Sequence, residues 1–165
     1  MNILAGTGHR PHRCAIGKIK AYSDYQSQVM YEIASQFFIY YEVDLALSGG
    51  ALGWDTAICR AAYALKVPYH VYVPFAGQES QWPKDNQDKY HKMLEYAEKV
   101  IIVSEGDYTP QKMQKRNQAL VDNCNILLAL WNGKQEGGTW NCIQYAKRVG
   151  RETTNAWPSY EEYAK

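Results

Sequence analysis

The chain carries almost no surplus charge: 18 Lys and Arg against 17 Asp and Glu leave +1 over 165 residues. Dedicated nucleic-acid binders show clustered basic excess, so this balance argues against nucleic acid as the partner. The four cysteines, Cys14, Cys59, Cys124 and Cys142, stand far apart, with no Cys-x-x-Cys and no paired histidine. That spacing excludes the usual zinc motifs and gives no sign of a disulfide framework. No apolar run reaches eighteen residues, and Met1 leads straight into a short strand-like stretch. Neither a membrane segment nor a secretory leader is expected, and the expected compartment is a cytosol, bacterial or phage-infected. Repeats, low-complexity stretches and linkers are also missing, so a single domain over residues 1–165 is expected.

The 46% hydrophobic and 21% charged residues form an ordinary globular composition, with enough apolar material for a real core. Fourteen Tyr and five Trp are the unusual part. Such rings fill cores and interfaces, and they also stack on nucleobases. Short continuous apolar runs predict strands at Asn2–Gly6, Val43–Leu47, Tyr69–Val73 (stopped by Pro74), Val100–Val103 and Asn125–Trp131. Between them lie helical periodicities. One starts at Ser23 with Gln26 as a capping box, one at Ala57, one capped by Asp85, one at Thr109-Pro110 and one near Thr139. The tail "WPSYEEYAK" reads as a short helix. About five alternating strands and helices predict a three-layer α/β/α Rossmann-like sandwich with a mostly parallel sheet of five or more strands.

In such folds ligands bind outside the carboxyl ends of the strands, near the topological switch point. Two of the loops there contain an adjacent glycine pair just before a helix: "SGGALGWD" at Ser48–Asp55 and "EGGT" at Glu136–Thr139. Without Cβ atoms the backbone can approach an anion, and the free first-turn amides point at it. Neither loop is a P-loop, since no Gly-Lys-Ser/Thr follows, and neither is a G-x-G-x-x-G fingerprint. Tight turning alone also explains glycine, so each loop reads either as a turn or as half of a phosphate cradle.

The ordered set "GTGHRP", "SGGALGWDTAICRAA", "PFAGQESQWP", "RNQALV" and "EGGT" resembles the SLOG superfamily, which joins the LOG-type phosphoribohydrolases, the DprA/Smf proteins and the YpsA-like proteins. The YpsA-like branch is the most similar, over about residues 1–150. The resemblance implies a Rossmann-like fold that holds a nucleotide or nucleotide-derived ligand, often in a homodimer or larger assembly. No required cofactor and no metal are expected. Carried over by position, Thr7, Gly8 and Arg10 would line a first loop; His9 in the same loop is a candidate on its own chemistry, as a donor to a phosphate or ribose or as an acid or base. Ser48, Gly49, Gly50 and Gly53 would form a second, with Asp55 heading its helix. Gly137, Gly138 and Thr139 would face the phosphate, and Arg116 and Asn117 would reach in from a late helix. Beyond the carried-over positions, Phe75 and Trp82 lie in a loop over the expected site and are candidates to stack on a base.

One departure bears on catalysis. The LOG-type hydrolases are similar in placing a Glu three residues beyond the Thr of the glycine turn, and here that position is Cys142. Asp55 and Glu136, with Arg116, are the remaining catalytic candidates, and Asp55 also reads as a helix cap. The expected function is binding of a nucleotide-derived molecule (ADP-ribose-like, cyclic nucleotide or nucleoside phosphate) as a sensor or sequestering module. The alternatives are N-glycosidic hydrolysis of nucleoside monophosphates and DprA-like single-stranded DNA binding.

Overall fold

The computed structural model describes residues 1–165. Six strands form one all-parallel sheet in the order β4-β3-β2-β1-β5-β6. They are β1 (Ile3–Gly8), β2 (Leu45–Ser48), β3 (Tyr69–Phe75), β4 (Lys99–Ser104), β5 (Ile126–Leu130) and β6 (Glu152–Asn155). Helices α1 (Asp24–Tyr40), α2 (Trp54–Ala64), α3 (Lys84–Tyr96), α4 (Pro110–Asp122), α5 (Gly137–Arg148) and α6 (Trp157–Tyr163) follow the strands in turn. The expected three-layer α/β/α sandwich is present.

Strand side chains alternate between two cores, as the period of two requires. Leu4, Leu128 and Leu130 join a cluster of 24 buried residues beneath α1, α2 and α6. Ala5, Leu127 and Ala129 join a cluster of 10 beneath α4 and α5. The cavity described below lies beside the smaller core, with residues of α4 and of the start of α5 in its lining.

Local signals explain most boundaries. Ser23 accepts the amide of Gln26 at 3.0 Å, as a cap should. The Gln26 side chain returns one residue further out than a capping box requires, to the Tyr22 amide at 2.9 Å. Thr109 caps α4 by accepting the Lys112 amide at 3.2 Å, with Pro110 at the first helical position. Asp85 does not cap α3: Pro83 holds that position, and Asp85 lies in the first turn, where its charge still suits the helix dipole.

Two further expectations need correction. Pro74 does not stop β3, which continues to Phe75. Pairing with β2 ends at Val71, so no neighbour on that side requires an amide from Pro74. The strand β6 has no apolar run to reveal it: "ETTN" is an edge strand paired only to β5. Replacing the α4 cap, Thr109→Ala, should lower stability by about 1 kcal/mol in urea denaturation without altering the spectroscopic signature of the native state.

Candidate functional site

The chain runs outward from β1 through β2 and β3 to β4, then crosses back to place β5 on the other flank of β1. The loops leaving β1 and β5 therefore diverge, and a crevice opens between them. A cavity of about 420 Å³ occupies it. Thr7, Gly8, His9 and Arg10 line it from the end of β1, Ala51 and Asp55 from the approach to α2, Arg116 and Asn117 from α4, and Gly137, Gly138 and Thr139 from α5. Its charged lining is three guanidiniums, Arg10, Arg13 and Arg116, against one carboxylate, Asp55.

Arg116 is the deepest cation, only 5% exposed. Its Nη1 donates to the Gly49 carbonyl at 2.7 Å and to the Tyr72 carbonyl at 3.4 Å, and its Nε donates to Asn117 Oδ1 at 3.0 Å. Burial lowers its pKa, and the nearby Asp55 charge opposes that effect. A Cβ on residue 49 would sit 2.2 Å from Nη1 and 2.9 Å from Asp55 Oδ2, so only glycine lets the guanidinium approach. Gly49 is thus required by a side chain of the protein itself.

The rest of the Ser48–Asp55 loop is tied to itself. The Ser48 hydroxyl donates to the Asp55 carbonyl at 2.8 Å and accepts the Gly50 amide at 3.2 Å. Asp55 Oδ2 accepts the Ala51 amide at 3.2 Å. Burial pushes the Asp55 carboxyl above its usual range, against the pull of Arg116 and Arg10. Of this loop only Ala51 and Asp55 reach the cavity. Ser48, Gly49 and Gly50 lie behind it, and Gly53 lines a different cavity.

The second glycine pair is different. Gly137 and Gly138 are the first two residues of α5, no side chain caps this helix, and a Cβ on Gly138 would meet nothing within 4 Å. The guanidinium of Arg13 lies beside Gly137, its Nη1 3.1 Å from where a Cβ would stand. Free first-turn amides beside a guanidinium make a corner suited to an anion. Asn117 Nδ2 donates to the Gly138 carbonyl at 3.5 Å and links this corner to Arg116.

His9 is 4% exposed, and its Nε2 accepts the Asn132 amide at 3.2 Å. That bond places the proton on Nδ1 and leaves the ring neutral. Burial lowers its pKa, with the Asn132 bond opposing and Arg13 and His12 adding to the shift. The ring can therefore offer a neutral N–H donor to a ligand, and its other nitrogen joins the loops after β1 and β5.

Several expected site residues lie elsewhere. Phe75 packs edge-on to Tyr108, with centroids 6.2 Å apart, and it is Tyr108 that lines the cavity. Trp82 lines a separate cavity beside α1 and α3. Glu136 is exposed at the cap position of α5 and is not part of the cavity lining. Trp54 is fully buried and donates to the Leu128 carbonyl at 3.2 Å, and Trp140 stacks on Trp131. Cys142 is a core residue whose thiol burial pushes up to about 12, which leaves it no nucleophilic role. His12, Arg13, Tyr108 and Asn141 line the cavity without having been anticipated. The run "HRC" directly after "GTGHRP" was the available signal for the first two, since it continues the same loop. No cluster of His, Cys, Asp or Glu is placed to hold a metal ion, and no helix is long and apolar enough to cross a membrane.

A parallel sheet with a cation-lined cavity at its switch point gives this chain a Rossmann-like architecture. The chain belongs to the YpsA branch of the SLOG proteins, the family described as "YspA SLOG family", whose model matches residues 4–157. It is 34% identical over 119 residues to the uncharacterized SPbeta prophage-derived protein YoqJ of Bacillus subtilis, covering 62% of this chain and 69% of that one. Its fold is similar to DNA processing protein A of Streptococcus pneumoniae, with a TM-score of 0.63 at 18% identity over 93% of this chain. The chain spans about half of that protein, 49% of its length. It is also similar to the molybdenum cofactor carrier protein of Chlamydomonas reinhardtii, with a TM-score of 0.57 at 15% identity, covering 92% of this chain and 74% of that one. The expectation that nucleic acid is not a partner gains no support from these neighbours, one of which is a DNA processing protein.

The neutral burial of His9 has a pH consequence. Its folded pKa lies below the ordinary 6.5, so the unfolded chain takes up this proton first as pH falls. The stability tied to neutral His9 is complete above about 6.5 and is lost progressively below it. Urea denaturation should show a smaller unfolding free energy at pH about 5 than at about 7.5, and His9→Gln should reduce that difference.

Proposed function

We propose that the cavity binds a nucleotide-derived small molecule through its phosphate, and that the protein acts as a sensor or sequestering module for it inside the cell. The observation that carries this reading is the uncapped start of α5, Gly137–Thr139, open to a cavity whose lining holds three arginines and one carboxylate. An anion there would gain from the free amides, from Arg13 beside Gly137 and from the helix dipole, about 1 kcal/mol for the dipole alone. Tyr108 supplies an aromatic face at the same cavity, and His9 Nδ1 a neutral donor. The reading requires no cofactor. It includes self-association, for which the edge strand β4 offers Val100 and Ile102, 42% and 56% exposed.

Calorimetry with ADP and ADP-ribose tests the cradle. The wild type should bind at least one of them, and Gly138→Asp should weaken binding at least about tenfold, since it sets a carboxylate in open space at the anion corner. An unchanged affinity in that variant would refute the phosphate placement.

Asp55 favours a second reading, N-glycosidic hydrolysis of a nucleoside monophosphate. It is the one carboxylate in the cavity lining, and Oδ2 alone is engaged, by the Ala51 amide. A carboxylate so placed stabilises an oxocarbenium-like ribose when ionised. Incubation with purine monophosphates should then release free base, with Asp55→Asn abolishing release; a wild type that releases none has no such activity.

A further inference from the structure

A second cavity, of about 200 Å³, lies on the opposite side of the sheet from α4 and α5. One wall is the start of α1, with Tyr22, Asp24 and Met30. The other is the start of α3 and the loop before it, with Trp82, Asn86 and Tyr90. Gly53 and Pro11 also line it, and these two residues are in close contact, with Pro11 Cδ 3.0 Å from where a Cβ on Gly53 would stand. They form part of the partition from the cation-lined cavity.

The chemistry of this second space differs from that of the first. It contains no arginine, and its one lysine, Lys89, is matched by Asp24. Three aromatic rings share it. Trp82 and Tyr90 are nearly perpendicular, with centroids 5.2 Å apart and planes at 78°, and both rings line the cavity. Tyr22 is 59% exposed and adopts φ +60°, a left-handed conformation that a bulky aromatic rarely takes. The Gln26 side chain holds it there through the Tyr22 amide. A strained backbone that keeps an exposed ring at a cavity points to use of that ring. Asn86, Asp24 and Thr56 supply donors and acceptors beside the rings. The volume is below the roughly 300–1,000 Å³ of pockets for drug-sized ligands, which limits the occupant to about one ring system.

We propose that this second cavity is a binding site for a nucleobase ring, stacked on Trp82 and hydrogen-bonded at its edge by Asp24 and Asn86. The segment "PFAGQESQWP" builds the site. Its Trp82 is the platform, and its Gln78 supports Tyr90 by donating Nε2 to the Tyr90 hydroxyl at 3.1 Å. The same Nε2 donates to the Gly49 carbonyl at 3.1 Å, which also receives Arg116. A ring seated against Tyr90 therefore bears on the carbonyl that anchors the cation of the first cavity. The proposal does not rest on the phosphate reading: the two cavities share no lining residue.

The ring has two sources, a separate nucleoside or the base of a nucleotide whose phosphates occupy the first cavity. Calorimetry with adenosine and with ADP, on the wild type, Trp82→Ala, Trp82→Phe and Gly138→Asp, tests the site and separates these sources. Adenosine should bind the wild type. Trp82→Ala should weaken it at least about fivefold, Trp82→Phe should restore most of the affinity, and Gly138→Asp should leave it within about twofold. ADP that displaces adenosine and is itself weakened by Gly138→Asp assigns the ring to a nucleotide spanning both cavities, and ADP that binds alongside adenosine assigns it to a separate molecule; both accord with a nucleobase site. A wild type that ignores adenosine overturns the proposal, as does binding indifferent to Trp82→Ala in a variant whose melting temperature is unchanged. Loss of ADP binding alone in Gly138→Asp tests only the phosphate corner, so the two readings fail separately.

Discussion

The hydrogen bond from Arg116 to the Gly49 carbonyl is the constraint around which the site is organised. A guanidinium this deeply buried has lost its water and must be given acceptors. Two backbone carbonyls and the neighbouring Asn117 provide them. The bond joins α4 on one side of the sheet to the turn leaving β2, so it fixes where the loop to α2 can run. It also leaves a permanent positive charge at the floor of the crevice, with Asp55 held close enough to moderate it. Residue 49 has to be glycine for any of this to occur.

The two glycine pairs consequently divide their work. The one after β2 is packed, with Ser48 and Asp55 consuming its polar groups, and it gives shape to the cavity from behind. The one that opens α5 is left open, with its first-turn amides uncapped and Arg13 alongside. The same sequence pattern thus yields a scaffold in one place and an exposed dipole end in the other. The difference arises from the neighbours: Arg116 fills the space beside Gly49, whereas beside Gly138 the space is open.

This contrast marks the limit of what the sequence could convey. Layer architecture was legible because five of the six strands are continuous apolar runs and the helices carry caps such as Ser23 and Thr109. The strand β6 was not, because an edge strand of Glu, Thr and Asn has no reason to be apolar. Motif positions located Thr7, His9, Arg116 and Gly138 around one crevice. They could not show that Gly49 contacts an arginine, because that contact joins residues 67 apart. Nor could they place Trp82, since its side of the partition depends on how the loop after β3 folds over α3. His12 and Arg13 reach the crevice through a short turn of 3₁₀ helix, whose direction no periodicity encodes.

The central position of β1 also governs the order in which the molecule can be completed. Its β2 partner lies about forty residues along the chain, whereas its other partner begins at Ile126. Loop-closure entropy opposes the second pairing by about 1 kcal/mol more than the first, and distant pairings slow folding. A chain emerging from the ribosome can therefore assemble the half-sheet from β1 to β4 well before β5 exists. Until β5 arrives, His9 has no Asn132 amide to accept and Gly8 lacks its strand partner Leu130. The crevice is complete only once β5 and the first turn of α5 have been made, so its occupant cannot engage shorter nascent chains.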